Sequence, residues 1–176
     1  MNETDKEIFA EDKQSYLPVF NRYQIVLDHG EGAYTWDVNG KKYIDFLGGI
    51  AVNVLGHGYK PLVEAISAQA GKLIHCSNLY YTQPQADAAA KLVKLSGLDK
   101  AFFGNSGAEA NEGAIKIARK YAHQIDPEKS QIITAWDSFH GRTIATLTAT
   151  GQKHYHEGVG PLPAGFDYVH YNDIAE

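Results

Sequence analysis

The spacing of apolar residues predicts alternating helices and strands in the later part of the chain. Helical spacing over 84–96 and 107–124 is interleaved with short apolar runs over 131–136 and 166–171. A further apolar run over 100–104 is predicted to be a short buried strand. This alternation predicts a parallel sheet that is covered by helices, and therefore an α/β fold.

The earlier part of the chain has a different pattern. In "GAYTWDVNGKKYIDF" two runs rich in Tyr, Trp and Val flank Asn39-Gly40, and this predicts a tight hairpin in which Asn-Gly supplies the positive φ angles. Residues 1–15 are predicted to form a polar arm or a short helix. Another helix is predicted to begin at Pro61, because proline suits the first helical position.

Composition narrows the class of protein. The chain has 176 residues, a formal net charge of −5 and 44% hydrophobic residues, which is enough for a sizeable core. The acidic balance argues against general nucleic-acid binding. No apolar run approaches the roughly 20 residues of a membrane helix, and no secretory signal is visible. The single Cys76 cannot form an internal disulfide, which suits a reducing compartment. Taken together, these features lead us to expect a cytoplasmic protein that binds neither nucleic acid nor membrane.

The turn "GNSGAE" ends the apolar run at Phe103 and starts a helix. Ser106 and Glu109 have the spacing of a capping box, in which the serine hydroxyl accepts the Glu109 N–H and the carboxylate accepts the Ser106 N–H. One interpretation is a well-capped helix and nothing more. The other is a seat for one phosphate on the free amides of Gly107 and Ala108, since no Walker or dinucleotide-binding glycine pattern is present.

A second motif, "DSFHGRT", follows the predicted strand 131–136, on the side where open α/β sheets bind ligands. Phe139 is suited to lie flat on an aromatic ring, and His140 to stack or to cap a site. Arg142 offers a planar fork that matches a carboxylate. The alternative is a surface loop with an incidental arginine.

Three histidines are candidate metal ligands. His154 and His156 share a face of an extended segment, and His170 follows later. Two imidazoles without a cysteine or carboxylate at zinc spacing are weak evidence. We therefore predict a solvated loop and no metal site.

"GNSGAEANEGAIKIAR" and "FHGRT" together resemble the class III (ornithine-type) aminotransferases, which are fold-type I enzymes that use pyridoxal 5′-phosphate. "WDVNGKKYIDFLGGIAVNVLGHGYKP" and "SNLYYTQPQ" resemble the N-terminal part of the same family. The resemblance runs in order from Tyr16 to the end. It implies that residues 1–70 contribute to a small domain and that 71–176 form the first part of the large cofactor-binding domain.

The resemblance also implies roles for particular residues. Ser106, Gly107 and Ala108 would bind the cofactor phosphate, with Phe139 on the pyridine ring and His140 beside it. Arg142 would hold the substrate α-carboxylate, and Tyr16 and Asn78 would line the substrate pocket. It further implies small-molecule substrates and a homodimer.

The segment "GGIAV" bears on the substrate. Family members that act on free ornithine usually carry a tyrosine where Ile50 stands, and an apolar Ile50 suits a neutral acylated tail better than an ammonium group. The implied substrates are N-acetylornithine and glutamate or 2-oxoglutarate, in arginine biosynthesis. The alternatives are another ω-amine (ornithine, succinylornithine or 4-aminobutyrate) or a non-catalytic dimerising fragment.

The family's Schiff-base lysine and the aspartate beside the pyridine nitrogen come after residue 176. No catalytic residue is therefore expected among these 176 residues, and we predict that this chain alone does not transaminate.

Overall fold

The computed structural model describes residues 2–176, and the chain divides into two units, Met1–Tyr80 and Tyr81–Glu176. Each unit has its own secondary structure. The assignment of residues 1–70 and 71–176 to the small and large domains of an aminotransferase stays a prediction.

The first unit combines helices with a small antiparallel sheet. Its elements are α1 (Glu3–Ser15), β1 (Leu27–Glu31), β2 (Tyr34–Asp37), β3 (Lys42–Ile44), the single turn α2 (Gly48–Ala51) and α3 (Lys60–Lys72). The strands pair in the order β1-β2-β3, all antiparallel. The predicted N-terminal helix and the helix start near Pro61 are confirmed, while β1 was not predicted.

The hairpin between β2 and β3 is present, but its turn differs from the prediction. Of the two turn residues only Gly40 has a positive φ, of 77°, and the Gly40 N–H donates to the carbonyl of Asp37. The loop therefore has three residues rather than two. The cause is Asp37, whose carboxylate accepts the N–H groups of Asn39 and Lys41, both at 2.9 Å.

The second unit follows the predicted α/β order. Its elements are α4 (Gln83–Ser96), α5 (Gly107–Ile125), β4 (Ile132–Ala135), α6 (Ile144–Ala149), a 3-10 turn (Lys153–Tyr155) and β5 (Phe166–Val169). Strands β4 and β5 pair in parallel, with Ile132 opposite Phe166. The predicted parallel pairing and the predicted helices are thus confirmed.

The predicted buried strand over 100–104 is wrong. This segment pairs with no strand in the described part of the chain, and Phe102 is 65% exposed. It still packs against α5, since a Cβ on Gly113 would lie 2.9 Å from the Phe102 ring. Within the described residues the apolar run therefore contacts α5 and has no strand partner.

The best buried part of the second unit is α6. Thr146 and the C-cap residue Thr150 are fully buried, and Leu147 and Ala149 are also buried. The Thr150 hydroxyl donates to the carbonyl of Thr146 at 2.9 Å, which satisfies the buried oxygen. No helix among residues 2–176 is long and apolar enough to cross a membrane.

Candidate functional site

The first turn of α5 is built by side chains on both sides of it. Ser106 has extended backbone angles, and its Oγ accepts the N–H of Glu109 at 3.2 Å, as predicted. The second half of the predicted capping box is wrong. The Glu109 carboxylate accepts the N–H of Asn105 at 2.6 Å and the Asn105 side-chain amide at 2.9 Å, instead of the Ser106 N–H. Glu109 can reach that far because it folds over Gly104, where a Cβ would lie 3.1 Å from Glu109 Cβ.

This arrangement leaves donors free at the helix start. Among the described residues, the N–H groups of Ser106, Gly107 and Ala108 have no hydrogen-bond acceptor. A Cβ on Gly107 would meet no atom within 4 Å, so the space beside these amides is open. Free N–H groups and the positive end of the helix dipole together form a seat for an anion.

The two sequence motifs meet at Gly141. Its φ is +140°, and a Cβ there would lie 2.7 Å from Ala108 Cβ and 2.5 Å from Thr146 Oγ1. Only glycine therefore allows the "FHGRT" loop to lie directly on the first turn of α5. Asn111 strengthens the contact, since its Nδ2 donates to the carbonyl of His140 at 2.8 Å.

The loop holds an arginine between two aromatic rings. The Arg142 guanidinium carbon lies 3.8 Å from the centre of the Tyr155 ring and 5.0 Å from that of Phe139. Arg142 is exposed and has no carboxylate partner among residues 2–176. Stacking on aromatic rings fixes the plane of the guanidinium but leaves its N–H edge free for an anion.

His140 is anchored through its backbone. Its N–H donates to Thr150 Oγ1 at 3.0 Å, while its ring Nε2 is buried and has no partner among the described residues. A buried ring nitrogen without a hydrogen-bond partner is unusual in folded proteins.

Electrostatics favour an ionised carboxylate next to the anion seat. The hydrogen bonds from the Asn105 backbone and side chain hold the pKa of Glu109 below its ordinary value of 4.5. Because those bonds use the Glu109 oxygens, the carboxylate is occupied on the Asn105 side and does not take the amides of Gly107 and Ala108.

The remaining predicted site residues belong to the first unit. Tyr16 follows the end of α1, where the Arg22 guanidinium carbon lies 4.2 Å from its ring centre. Asn78 lies in an exposed turn. Their assignment to a substrate pocket stays a prediction.

Two of the three histidines considered as metal ligands form hydrogen bonds with protein oxygens. His156 Nε2 lies 2.8 Å from the Thr150 carbonyl oxygen, and His170 Nδ1 lies 2.8 Å from a Glu176 carboxylate oxygen. No cluster of three or more metal-ligating side chains occurs within residues 2–176.

Three residues of the site were missed from the sequence: Asn111, Thr150 and Tyr155. Asn111 lies one helical turn after Gly107, so an amide at that spacing was a usable signal. Tyr155 and Thr150 reach the loop only through the chain path after α6, which no local pattern reveals.

Comparison with known proteins identifies the class. The sequence pattern of the aminotransferase class-III family matches residues 18–176. The chain belongs to the class III aminotransferases, as the resemblance implied.

Two similar proteins are both acetylornithine aminotransferases. The chain is 54% identical over 93% of its length to acetylornithine aminotransferase of Methanocaldococcus jannaschii, and 56% identical over 93% to that of Caldanaerobacter subterraneus. It spans 41% and 42% of the length of these two relatives.

Solved structures agree in fold. An ornithine aminotransferase from Toxoplasma gondii, described with partial occupancy of PLP at its active site, matches 98% of this chain at 30% identity with a TM-score of 0.94, and 41% of that protein is covered. A Bacillus anthracis aminotransferase matches 97% at 32% identity with a TM-score of 0.88, with 40% covered. The predicted fold-type I α/β class is confirmed.

Proposed function

We propose that the first turn of α5 binds the phosphate of pyridoxal 5′-phosphate through the N–H groups of Gly107 and Ala108, with Ser106 beside them. The support is the free donors, the open space at Gly107 and the helix dipole. One doubly charged phosphate suits a single helix start better than a dinucleotide, whose fingerprint is lacking.

The "FHGRT" loop supplies the neighbouring contacts in this proposal. Phe139 would lie against the pyridine ring and His140 beside it. Arg142 would bind the α-carboxylate of the substrate in two parallel hydrogen bonds, with its plane held by Tyr155. When bound, pyridoxal phosphate supplies the electron sink for the chemistry at the amino-bearing carbon.

The single observation that carries the proposal is the packing of Gly141 on Ala108. It puts a guanidinium loop directly against a helix start with free amides. Two anion-binding groups on adjacent backbone suit a ligand pair with a phosphate and a carboxylate, as an aminotransferase site requires.

The reaction proposed is transfer of the amino group of N2-acetyl-L-ornithine to 2-oxoglutarate, in arginine biosynthesis in the cytoplasm. The names of the similar proteins and the apolar Ile50 support this substrate. Tyr16 and Asn78 would contribute to the substrate pocket, and the enzyme would be a homodimer. The alternatives are another ω-amine substrate or a non-catalytic dimerising chain.

The test uses a chain of the relatives' length that carries these residues, called the full-length enzyme below. We expect turnover of N-acetylornithine with 2-oxoglutarate and a much lower kcat/KM for ornithine. Arg142→Ala should lower kcat/KM for both N-acetylornithine and 2-oxoglutarate by about a hundredfold, since two hydrogen bonds to a charged group are lost. Arg142→Lys, which keeps the charge but not the fork, should fall between the two.

Unchanged kinetics in Arg142→Ala would remove Arg142 from the carboxylate role. A preference for free ornithine in the unmodified enzyme would move the proposal to the ornithine branch of the family.

A further inference from the structure

The glycine-rich segment after β3 contains a turn of the wrong hand for L-residues. Gly48, Gly49, Ile50 and Ala51 all have positive φ, between 52° and 65°. Their hydrogen bonds run as in a helix, with the Val52 N–H donating to the Gly48 carbonyl at 2.9 Å. Two glycines tolerate this conformation, but a β-branched isoleucine and an alanine do not.

Such a turn must be held by its surroundings, and a polar network does so. Asp45 Oδ1 accepts the N–H groups of Leu47 and Gly48, at 3.1 and 2.8 Å, where the turn begins. Asp45 Oδ2 lies 2.7 Å from His57 Nε2, and His57 Nδ1 lies 3.1 Å from the side-chain nitrogen of Asn53. The Asn53 backbone N–H in turn donates to the Gly48 carbonyl at 2.8 Å.

The hydrogens of the network are consistent with one tautomer. The amide nitrogen of Asn53 can only donate, so His57 Nδ1 accepts. His57 Nε2 then carries the proton and donates it to Asp45. Both ring nitrogens of His57 therefore form hydrogen bonds within the protein. Neither is free to exchange a proton with a substrate, so the network serves to hold the backbone.

His57 is itself clamped to β1. A Cβ on Gly30 would lie 2.4 Å from the imidazole Cγ, so the ring packs flat against bare backbone. Gly32 and His57 also exchange two backbone hydrogen bonds, of 2.9 and 2.8 Å. The network therefore ties both ends of the left-handed turn to the sheet.

The side chains carried by this turn are apolar and exposed. Ile50 is 82% exposed and Val52 79%. A turn that is unfavourable for isoleucine, yet is held by a dedicated hydrogen-bond network, indicates that the backbone conformation at Ile50 serves a function, because strained backbone of this kind clusters at functional sites.

We infer that Asp45, His57 and Asn53 are positioning residues for substrate selectivity. They hold the left-handed turn 48–51, and so fix the place from which Ile50 contacts the acylated tail of the amino donor. This inference rests on the proposed function, in which Ile50 faces that tail. Both half-reactions use a substrate with an α-carboxylate, but only the amino donor N-acetylornithine has an acylated tail, so the two half-reactions are expected to respond differently.

The test compares variants of the full-length enzyme in both half-reactions. His57→Phe keeps a flat ring against Gly30 but removes both side-chain hydrogen bonds. We expect KM for N-acetylornithine to rise about tenfold, while KM for glutamate, which has no acylated tail, changes less than twofold. His29→Phe is the matched control, because His29 is 60% exposed, stacks on Trp36 and lies outside the network.

A second pair of variants covers the case in which His57→Phe does not fold. Asn53→Ala should give the same selective rise in KM. Asn53→Asp should restore the KM, since a His57 ring protonated on both nitrogens can donate from Nδ1 to the new carboxylate and from Nε2 to Asp45. Hydrogen exchange at the Val52 amide should be at least tenfold faster in Asn53→Ala and near normal in Asn53→Asp.

Equal changes of KM in both half-reactions, or no change in either, would overturn the positioning role while leaving the proposed function intact. If the unmodified enzyme does not turn over N-acetylornithine, the proposed function and this inference fail together.

Discussion

Replacing Gly107 by proline tests the anion seat with little cost to the helix that forms it. Gly107 is the first residue of α5, where proline is favoured and where its missing N–H breaks no helical hydrogen bond. Ser106 has φ −154° and ψ 163°, the extended conformation that a residue before proline prefers. The Cβ of the new residue meets no atom within 4 Å, and the proline Cδ takes the place of the N–H hydrogen, which has no acceptor.

The substitution removes one N–H donor to the phosphate. A hydrogen bond to a charged group contributes about 1.5–3 kcal/mol, so binding of pyridoxal phosphate should weaken by about ten- to a hundredfold. The free energy of unfolding should stay equal or rise slightly, because proline and alanine restrict the unfolded chain more than glycine does.

The assay is titration of the full-length apoenzyme with pyridoxal phosphate, followed by absorbance, together with urea unfolding of the same proteins. Gly107→Ala is the control, since it places a Cβ in the same space but keeps the N–H. A Gly107→Pro protein that binds the cofactor as tightly as Gly107→Ala would refute donation by this amide. Equal weakening in both variants would show that bulk, and not the donor, matters.

Three further outcomes are expected. Gly141→Ala should lower the free energy of unfolding by about 1–3 kcal/mol more than Gly158→Ala in urea titrations, because both have positive φ but only Gly141 contacts neighbouring atoms; equal losses would show that the loop does not pack tightly on α5. Tyr155→Leu in the full-length enzyme should raise KM for 2-oxoglutarate several-fold and Tyr155→Phe should not, because the ring and not the hydroxyl stacks on Arg142; identical KM values would argue against stacking as the source of order. Since hydrogen bonding lowers the folded pKa of Glu109, its contribution to stability is present above pH 4.5 and is lost as pH falls through the folded pKa; urea unfolding of Glu109→Gln should therefore differ from the unmodified chain near neutral pH and converge with it in acid, and a constant difference would contradict this.

Much of the second unit could be predicted from local signals. Ser106 marks the start of α5 and Gly97 the end of α4, where φ is 72°, and the apolar runs before residues 136 and 170 form the parallel pair. These features depend on a few neighbouring residues, so the sequence pattern is enough to find them.

The predictions that were wrong share a physical cause. In each case a contact or hydrogen bond that the pattern of apolar residues does not show decides the local structure. The run at 100–104 has strand composition, but no ladder partner pairs with it in the described chain, and it packs on Gly113 instead. Asp37 captures two loop amides and lengthens the hairpin turn. The core around α6 contains polar threonines where apolar residues are usual. Their burial is possible because the Thr148 and Thr150 hydroxyls donate hydrogen bonds to backbone carbonyls.

The candidate site was predicted in its motifs but not in its assembly. Ser106, Gly107, Ala108 and Arg142 follow from the two motifs. Their contact depends on Gly141, whose φ of +140° and closeness to Ala108 are properties of the folded chain. The left-handed turn at Ile50 runs against the propensity of its residues, so no single-sequence rule would predict it.

The most direct test of the central claim is a crystal structure of the full-length enzyme with pyridoxal phosphate bound. The account expects phosphate oxygens about 2.7–3.1 Å from the backbone nitrogens of Gly107 and Ala108, the range of an N–H···O hydrogen bond. A phosphate held elsewhere, with these two amides bonded to water or protein, would contradict it.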